Sequence, residues 1–494
     1  MKYDIIIGLE IHTELKTKSK MFCSCDNDSE GKTANTVVCP ICLGHPGTLP
    51  NPNQKAIETT ILIGLALNGN INQISKFDRK NYFYPDLPKG YQISQYDLPL
   101  VYNGVLEFDD VKIPITRVHL EEDTGKLTHP NGTDYTLIDF NRAGTPLVEM
   151  VTEPLIPDAT TAKKFCQKYQ QILRYLDASD ADMEKGQMRC EANVSVQAEG
   201  SWQYIDGRID PIGDNKLNPK VEVKNINSFR SLEKAINYEI DRQTKAIENG
   251  EPILQETRGW DDNKNCTVSQ RIKESSADYR YFPEPDIPPI IISDELLANL
   301  KMQLTELPEN KKNRFIHEYE LRAEMAETLI NDKDLASWYE AVISELNAWI
   351  LSQGDSFERQ EQKLSTLAGN WTTSELLKYD SAKRPSAADF AKLMLLLYGN
   401  KINSSAGQII LKEMINTKKD PEELMTALNL EQIGAGDELE EIIKNIISAN
   451  PEQTATYKNG KLGILQYFVG QVMAKTKGKA NPEIVLSLLK KHLD

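Results

Sequence analysis

The sequence predicts an α+β protein in which a mixed N-terminal part precedes an all-helical C-terminal part. Up to about Ser293 the chain is rich in Pro, Gly and Tyr and contains short runs in which apolar and polar residues alternate. Beyond that residue Pro becomes sparse and long amphipathic runs follow one another. A length of 494 residues is enough for about three domains. We therefore expect a mixed domain over 1–293, a helical domain over 294–385 and a helical tail domain over 386–494.

The mixed part combines half-buried strands with amphipathic helices. Alternation at period two predicts four strands, over 4–15, 111–122, 187–196 and 220–229. Apolar residues at helical spacing predict helices over 160–176 and 231–249. Asp158 precedes the first of these helices and can cap its N-terminus, and Ser231 opens the second.

The C-terminal part shows helical periodicity in successive segments. The predicted helices cover 294–307, 313–330, 335–351, 387–398, 406–417 and 421–428. Pro385 follows a polar stretch and precedes a new amphipathic run, which places a domain boundary near it.

The composition is that of an ordinary soluble globular protein. There are 57 Lys and Arg against 73 Asp and Glu, giving a net charge of −16, so bulk charge does not indicate a nucleic-acid partner. No apolar run approaches the roughly 20 residues of a membrane span. Asp4 and Glu10 interrupt what would be the apolar region of a signal peptide. We expect a cytoplasmic protein with no membrane partner.

Four of the seven cysteines lie close together, as Cys23 and Cys25 followed by Cys39 and Cys42. Two thiol pairs joined by a short loop have the spacing of a structural zinc site, in which four thiolates form a closed tetrahedral shell. The alternative is two reduced pairs at the surface. A closed shell leaves no position for water, so the predicted role of this zinc is structural.

Acidic residues recur on single faces of the predicted strands. Glu10 and His12 share a face, and two residues along a strand span roughly 6–7 Å, which is close enough to serve one ion. Other strands place Glu121 beside His119, Glu191 beside Asn193, and Glu222 beside Lys224. Oxygen-rich sites with a histidine suit Mg²⁺ or Mn²⁺, ions that hold nucleotide phosphates. The alternative is that these are the solvent faces of amphipathic strands.

Well-known nucleotide and hydrolase motifs are absent from the sequence. It contains no G-x-x-x-x-G-K-[ST] loop, no G-x-G-x-x-G, no G-x-S-x-G and no H-E-x-x-H. A nucleotide site would therefore have to be of another kind. The residues alone predict a zinc-containing α+β protein. They leave open whether it also uses a metal-bound nucleotide.

Long ordered segments of the chain resemble the B subunits of aspartyl/glutamyl-tRNA amidotransferases. They extend over the first 293 residues and into the tail, so the resemblance covers nearly the whole chain. The matching segments are IGLEIH at 7–12, KFDRKNYFYPD at 76–86, GYQISQ at 90–95, HLEEDTGK at 119–126, NRAGTP at 141–146, KNINSF at 224–229, DYRYFPEPD at 278–286, VGQVM at 469–473 and TKGKANP at 476–482.

The resemblance implies a fold and a reaction. The implied catalytic domain is a cradle similar to the glutamine-synthetase fold, followed by helical domains. The implied enzyme is an ATP-dependent carbon–nitrogen ligase of protein biosynthesis. It phosphorylates the side-chain carboxylate of Glu-tRNA(Gln) or Asp-tRNA(Asn), and ammonia then displaces the phosphate. The ammonia comes from glutamine through an amidase A subunit, and a small C subunit completes a heterotrimer.

The resemblance also implies roles for individual residues. It places the metal and nucleotide site at Glu10, His12, Glu121, Glu122, Glu149, Glu191 and Glu222. Within that set, the implied magnesium ligands are Glu10, His12, Glu122 and Glu149.

Five further residues carry open alternatives. Lys89 matches a position near the ammonia passage, and the alternative is an exposed lysine in a turn. Arg280 either binds phosphate through its fork of donors or pairs with Glu284. The implied tRNA contacts in the tail are Lys475, Lys477 and Lys479, since a local basic patch can grip an RNA backbone; the alternative is a solvated turn.

A second function from another class fits the same residues. A zinc-stabilised RNA-binding adaptor without kinase activity would keep the cysteine site and the basic tail. The joint presence of Glu10, His12, Glu121 and Glu122 favours the enzyme. Neither interpretation involves DNA, and the sequence does not select between the two misacylated tRNAs.

Overall fold

A computed structural model of the chain describes residues 2–272, 279–353, 357–432, 437–476 and 479–493. It confirms the predicted α+β class. The strands are β1 (Tyr3–Glu14), β2 (Asn70–Ile71), β3 (Ile74–Ser75), β4 (Asp78–Asn81), β5 (Tyr91–Ser94), β6 (Val101–Phe108), β7 (Val111–Glu122), β8 (Lys126–Thr128), β9 (Leu137–Asp139), β10 (Pro146–Thr152), β11 (Met188–Ala198), β12 (Trp202–Ile205), β13 (Arg208–Pro211), β14 (Val221–Ile226), β15 (Glu256–Asp261), β16 (Cys266–Ile272), β17 (Phe282–Pro283) and β18 (Ile290–Ile291).

The helices alternate with these strands up to α4 and follow one another from there on. They are α1 (Gln54–Ala66), α2 (Ala159–Tyr175), α3 (Phe229–Glu248), α4 (Asp294–Gln303), α5 (Pro308–Glu318), α6 (Ala323–Ile330), α7 (Lys333–Gln353), α8 (Phe357–Ser374), α9 (Ala387–Tyr398), α10 (Ser404–Thr417), α11 (Pro421–Ala427), α12 (Asp437–Ala449), α13 (Pro451–Lys458), α14 (Leu465–Lys475) and α15 (Pro482–Leu493).

The first compact unit, Met1–Pro308, is built on a nine-stranded sheet. Its strand order is β16-β15-β14-β11-β1-β10-β7-β6-β2, and neighbouring strands are antiparallel except for β14 and β15. Ile7, Leu9 and Ile11 of β1 are buried in one core with apolar residues of α1, α2 and α3. Side chains alternate along a strand, so the even-numbered residues of β1 lie on the opposite face of the sheet.

The predicted elements of this unit are confirmed, and their caps explain where the helices begin. The Asp158 side chain accepts a hydrogen bond from Thr161 N at the start of α2. Ser228 caps α3 in the same way through Ser231 N, so this helix begins slightly before the predicted position. Such caps satisfy backbone N–H groups that have no partner inside the helix.

The second compact unit, Glu309–Asp494, contains only helical elements among its described residues. One predicted helix, over 313–330, is two helices in the structure. Glu320 adopts a left-handed backbone conformation with φ +49°, which ends the helical path after α5. Leu321 is buried in the core at this break, so the turn aims an apolar side chain inward. No helix among the described residues is long and apolar enough to cross a membrane.

The compact units differ from the predicted domain boundaries at two points. Helix α4 packs on the first core through Leu300, so the first unit extends past residue 293 to Pro308. Helices on both sides of 385 share one core, in which the Trp338 ring lies 5.0 Å from that of Phe390. A separate core is formed by helices α12 to α15. The break in packing within the second unit therefore lies after α11, where amphipathic periodicity alone gave no signal.

Candidate functional site

The strand register brings acidic side chains together on the face of the large sheet opposite the helices. Glu10 of β1 lies opposite Glu191 of β11, and His12 lies opposite Glu149 of β10. Glu149 of β10 lies in turn opposite His119 of the next strand, β7. This neighbourhood follows from the antiparallel order β14-β11-β1-β10-β7, which no single segment of sequence reveals.

The first acidic cluster consists of His12, Glu121 and Glu149, whose ligand atoms lie within 4.8 Å of one another. His12 Nε2 is 3.4 Å from Glu149 Oε2 and 3.8 Å from Glu121 Oε1. His119 lies against the same carboxylates, with Nε2 3.3 Å from Glu149 Oε2. Two imidazoles and two carboxylates therefore share one largely buried space.

These contacts shift the pKa values of the cluster. Burial disfavours protonated His12, but its hydrogen bond to Glu149 and the charges of Glu149 and Glu121 prevail and raise the pKa of His12 to about 9. Burial also disfavours ionised Glu149, yet the charge and hydrogen bond of His119 hold the pKa of that carboxyl well below its usual value. The cluster is therefore an environment that attracts positive charge, as a proton or as a metal ion.

The second acidic cluster consists of Glu10, Glu191 and Glu222, again with ligand atoms within 4.8 Å of one another. Lys224 Nζ lies 2.7 Å from Glu191 Oε2 and 3.4 Å from Glu222 Oε1. Asn193 Nδ2 donates to Glu10 Oε1 at 2.9 Å. The three carboxylates are thus held in place by neighbours on β11 and β14, and their oxygen atoms are of the kind that Mg²⁺ prefers.

Lys80 of β4 is a site residue that sequence reasoning missed. Its Nζ lies 5.2 Å from the ring centroid of Tyr279 and 5.9 Å from that of Tyr82. Burial opposes the charge, but Glu121 and Glu149 outweigh it and raise the pKa of Lys80. Strand β4 belongs to a separate three-stranded sheet, so only the tertiary fold brings this lysine near the acidic face.

A cavity of about 370 Å³ opens beside Glu10 on the same face of the sheet. Gly8 and Ile209 are among its lining residues. Glu153 also lines it, is only 8% exposed, and accepts a hydrogen bond from Thr116 Oγ1 at 2.7 Å. Walls that combine apolar and polar side chains with a buried carboxylate suit the flat ring and the hydroxyl groups of a nucleoside.

Glu122 lies apart from the other predicted magnesium ligands. Its carboxylate oxygens are 2.6 and 2.7 Å from Lys89 Nζ, and Oε1 also accepts from Ile93 N at 3.0 Å. Neighbouring side chains along β7 point to opposite faces of the sheet. The Glu122 side chain therefore lies on the face opposite Glu121 and outside both acidic clusters. The predicted set is therefore divided three ways, with Glu10 in the second cluster, His12 and Glu149 in the first, and Glu122 in neither.

Lys89 is not the exposed turn lysine of the alternative interpretation, since its side chain is only 12% exposed. A cavity of about 100 Å³ adjoins the Lys89–Glu122 pair and is lined on another side by Cys23 and Cys42. The alternative role of Arg280 was an ion pair with Glu284. Glu284 is engaged by Arg79, whose Nε and Nη2 lie 2.6 and 2.7 Å from its two oxygens.

The four cysteines form one cluster rather than two separate pairs. The sulfur atoms of Cys23, Cys25, Cys39 and Cys42 lie within 4.8 Å of one another. Cys39 N donates to Cys42 Sγ at 3.1 Å. A hydrogen bond from Cys23 and the nearby Lys20 ammonium help lower the pKa of Cys42 to about 5. This donor set fits a tetrahedral zinc ion.

The predicted tRNA-contacting lysines of the tail fall in different situations. Lys475 is exposed in the last turn of α14. Lys479 Nζ donates to Asn429 Oδ1 at 2.9 Å, so one of its hydrogen-bond donors is already used within the chain. Lys477 lies outside the described residues.

Comparisons with known proteins agree with the resemblance stated above. Residues 5–298 match the family model for the GatB/GatE catalytic domain, and residues 355–493 match that for the GatB domain. The chain is 43% identical to the B subunit of the aspartyl/glutamyl-tRNA(Asn/Gln) amidotransferase of Thermoanaerobacter pseudethanolicus, and 100% of both chains is covered. The same-named protein of Thermotoga petrophila is also 43% identical over 100% of both chains. That of Rippkaea orientalis is 41% identical, covering 100% of this chain and 98% of its own. The chain therefore belongs to the family of aspartyl/glutamyl-tRNA(Asn/Gln) amidotransferase B subunits.

Proposed function

We propose that the chain activates and amidates the side-chain carboxylate of Glu-tRNA(Gln), Asp-tRNA(Asn) or both, as an ATP-dependent carbon–nitrogen ligase. The observation that carries this proposal is the pair of acidic clusters on one sheet face, His12–Glu121–Glu149 and Glu10–Glu191–Glu222, with a nucleoside-sized cavity beside Glu10. A solvated strand face would not need two histidines, His119 buried and His12 half-buried, between its carboxylates. We also propose that the fold of the first compact unit is related to the cradle of glutamine synthetase.

The proposed reaction has two steps. An oxygen of the substrate carboxylate attacks the γ-phosphorus of ATP, and the bond from that phosphorus to the β,γ-bridging oxygen breaks, so ADP leaves with the electron pair. Ammonia then adds to the acyl-phosphate carbon, phosphate leaves, and the nitrogen loses a proton to give the amide. Phosphorylation is needed because a free carboxylate is a poor electrophile.

The two clusters are the proposed magnesium sites. Mg²⁺, when bound, offsets charge on the phosphates during transfer. The residues around it act through charge and position. Lys80 and Lys224 border the carboxylates, so the site can also receive phosphate oxygens without an excess of negative charge. Glu153, inside the cavity, is the proposed acceptor for ribose hydroxyl groups.

The Lys89–Glu122 pair is the proposed ammonia-passage element. Its charges are paired and partly buried, and the adjoining cavity of about 100 Å³ has room for a molecule of the size of ammonia. Glutamine hydrolysis is assigned to the amidase A subunit, and a small C subunit completes the proposed heterotrimer. The proposed structural zinc ion occupies the four-cysteine cluster. The proposed setting is the translation apparatus of the cytoplasm, and the tail lysines are the proposed tRNA contacts.

Phosphate release tests the proposal directly. The purified chain with its A and C partners, Mg²⁺ and ATP should release phosphate only when a misacylated tRNA is present. Supplying Glu-tRNA(Gln) and Asp-tRNA(Asn) in separate reactions identifies the substrate. If neither tRNA elicits phosphate release or amide formation, the ligase proposal fails and the zinc-stabilised RNA-binding adaptor takes its place.

His12→Ala probes the first cluster. We expect it to reduce tRNA-dependent ATP cleavage by at least about a hundredfold, because the side chain that contacts both Glu121 and Glu149 is lost. Glutamine hydrolysis by the partner should persist. His129→Ala is the matched control, since His129 is exposed and its ring hydrogen-bonds to the Thr136 hydroxyl, away from both clusters. Full transamidation by the His12 variant would show that the metal-site assignment is wrong.

A further inference from the structure

Lys20 is a lysine with no exposed surface that sequence reasoning did not single out. Its Nζ donates to Val37 O at 2.8 Å and lies 3.9 Å from Cys42 Sγ. Lysine is among the residues least often buried, because its ammonium loses strong hydration on leaving water. Complete burial of this side chain beside a thiol therefore requires a compensating interaction.

The backbone and side chain of Lys20 connect three parts of the cysteine cluster. Its N–H donates to the carbonyl of Cys25 at 3.0 Å, in the first thiol pair. Its Nζ reaches Val37, in the loop between the pairs, and Cys42, in the second pair. A Cβ placed on Gly144 would be 3.6 Å from Lys20 Cδ, so the aliphatic stem is also packed against a neighbouring turn. The ammonium is thereby fixed at one position.

No carboxylate among the described residues lies within ion-pair distance of Lys20 Nζ. A carbonyl and a neutral thiol would leave a buried positive charge uncompensated, which is strongly destabilising. Four thiolates around one Zn²⁺ carry a net charge of −2, and an ammonium against one sulfur neutralises half of that excess. The burial of Lys20 and the chemistry of the cysteine cluster therefore account for each other.

We propose that Lys20 is a positioning and charge-neutralising residue of the four-cysteine metal site. It donates a hydrogen bond towards the Cys42 thiolate and supplies the positive charge that the anionic zinc–thiolate centre lacks. This inference rests on the proposed structural zinc. Groups that hydrogen-bond to metal ligands in this way typically contribute about ten- to a hundredfold to metal affinity.

The test compares metal retention in full-length variants. Wild type, Lys20→Met, Lys20→Gln and Lys20→Arg are purified with zinc, and transfer of zinc to a chromogenic chelator is followed. We expect one zinc per wild-type chain and zinc loss about ten to a hundred times faster from the Met and Gln variants. The Arg variant keeps the charge and should stay within about threefold of wild type. Lys18→Met is the control, because Lys18 is exposed and two residues away.

Cobalt substitution gives a readout that a purely structural role would not move. In the Co²⁺-loaded protein, loss of the ammonium raises the energy of the sulfur electrons, so the thiolate-to-cobalt charge-transfer band of Lys20→Met should move to longer wavelength. A band that only weakens would instead reflect a smaller loaded fraction and would overturn the electrostatic role of Lys20.

The outcomes separate the two proposals. Wild-type protein that retains neither zinc nor cobalt would refute the zinc site itself. Metal retention and band position equal to wild type in Lys20→Met would overturn the role of Lys20 alone. If the Met and Gln variants fail to fold while the Arg variant folds with zinc, the charge is essential, as proposed. If all three variants fail to fold with zinc present, Lys20 has only a packing role and the proposal is wrong.

Discussion

At the scale of single residues, the acidic face shows how one alternation rule decides what a carboxylate can do. Glu121 and Glu122 are adjacent in sequence, yet the first lies against His12 and His119 while the second is paired with Lys89. Period-two alternation predicted the face that Glu10 and His12 share, and the face that Glu121 shares with His119. The same alternation excludes Glu122 from that face, and the family resemblance alone did not reveal this.

The pH dependence of stability follows from His12. Because the folded-state pKa is raised from 6.5 to about 9, the protonated imidazole stabilises the fold fully below pH 6.5, and this contribution is lost as the pH rises through about 9. In metal-free buffer, His12→Gln removes the effect. Between about pH 6.5 and 9.5 we expect the free energy of unfolding of wild type to fall by about 3 kcal/mol more than that of the variant, measured by urea denaturation.

The control for this measurement is His129→Gln, which replaces an exposed histidine. Its unfolding free energy should follow that of wild type across the whole pH range. A His12→Gln variant with the same pH dependence as wild type would contradict the raised pKa of His12.

At the scale of elements, sequence reasoning succeeded where one side of a strand is polar and failed where both sides are buried. Strand β10 lies between β1 and β7, and all but one of its residues are buried. A strand buried on both faces reads as an apolar run without alternation, so the pattern did not predict it. Glu149 was therefore found only through the resemblance. Lys80 was missed because the carboxylates that raise its pKa lie in another sheet. Lys20 was missed because its contacts depend on the path of the cysteine loop, which periodicity does not predict.

The turn that ends the cysteine cluster carries a testable contact between elements. Gly44 has φ +66°, and a Cβ at this position would lie 2.5 Å from Lys89 Cγ. Gly44→Ala should therefore combine backbone strain of about 1–2 kcal/mol with a collision that costs about 1–3 kcal/mol more. We expect a drop of about 2–5 kcal/mol in the free energy of unfolding, measured by chemical denaturation.

The Gly47→Ala variant separates the backbone strain from the collision with Lys89. Gly47 also has a positive φ, +85°, but nothing lies within 4 Å of the added Cβ. This variant should lose only the strain of about 1–2 kcal/mol. Equal losses in the two variants would mean that the turn at Gly44 does not press on Lys89.

At the scale of the whole molecule, the chain divides into two compact units with separate cores. Both acidic clusters, the cavities and the four cysteines lie in the first unit. A fragment ending at Pro308 should therefore unfold cooperatively and retain zinc. Its affinity for Mg²⁺-bound ATP should stay within about threefold of the full chain, by isothermal titration calorimetry, since no described residue beyond 308 lines these sites. Aggregation or loss of zinc would show that the first core is not self-sufficient.

Charge is distributed unevenly along the chain. The whole molecule has a net charge of −16, but residues 437–494 contain eight Lys against seven Asp and Glu. Part of the acidic excess belongs to the two clusters on the sheet face. The bulk charge therefore says little about the surface that a tRNA would meet, and a short stretch of lysines can make local phosphate contacts.

Lys475 is the tail residue best placed to test this, because it is exposed in the last turn of α14. A lysine that contacts phosphate releases about one counterion on binding. Lys475→Gln, assayed in the assembled enzyme, should raise the Kd for tRNA about two- to fivefold and reduce the slope of log Kd against log salt by about 1.

Lys479→Gln should have a smaller effect on both quantities, because Asn429 already accepts a hydrogen bond from its Nζ. Lys444→Gln is the matched control, since Lys444 lies 3.6 Å from Glu440 and is offset by it. A salt slope unchanged by Lys475→Gln, or lowered equally by the control, would remove Lys475 from the tRNA contacts and leave the solvated-turn interpretation of the tail.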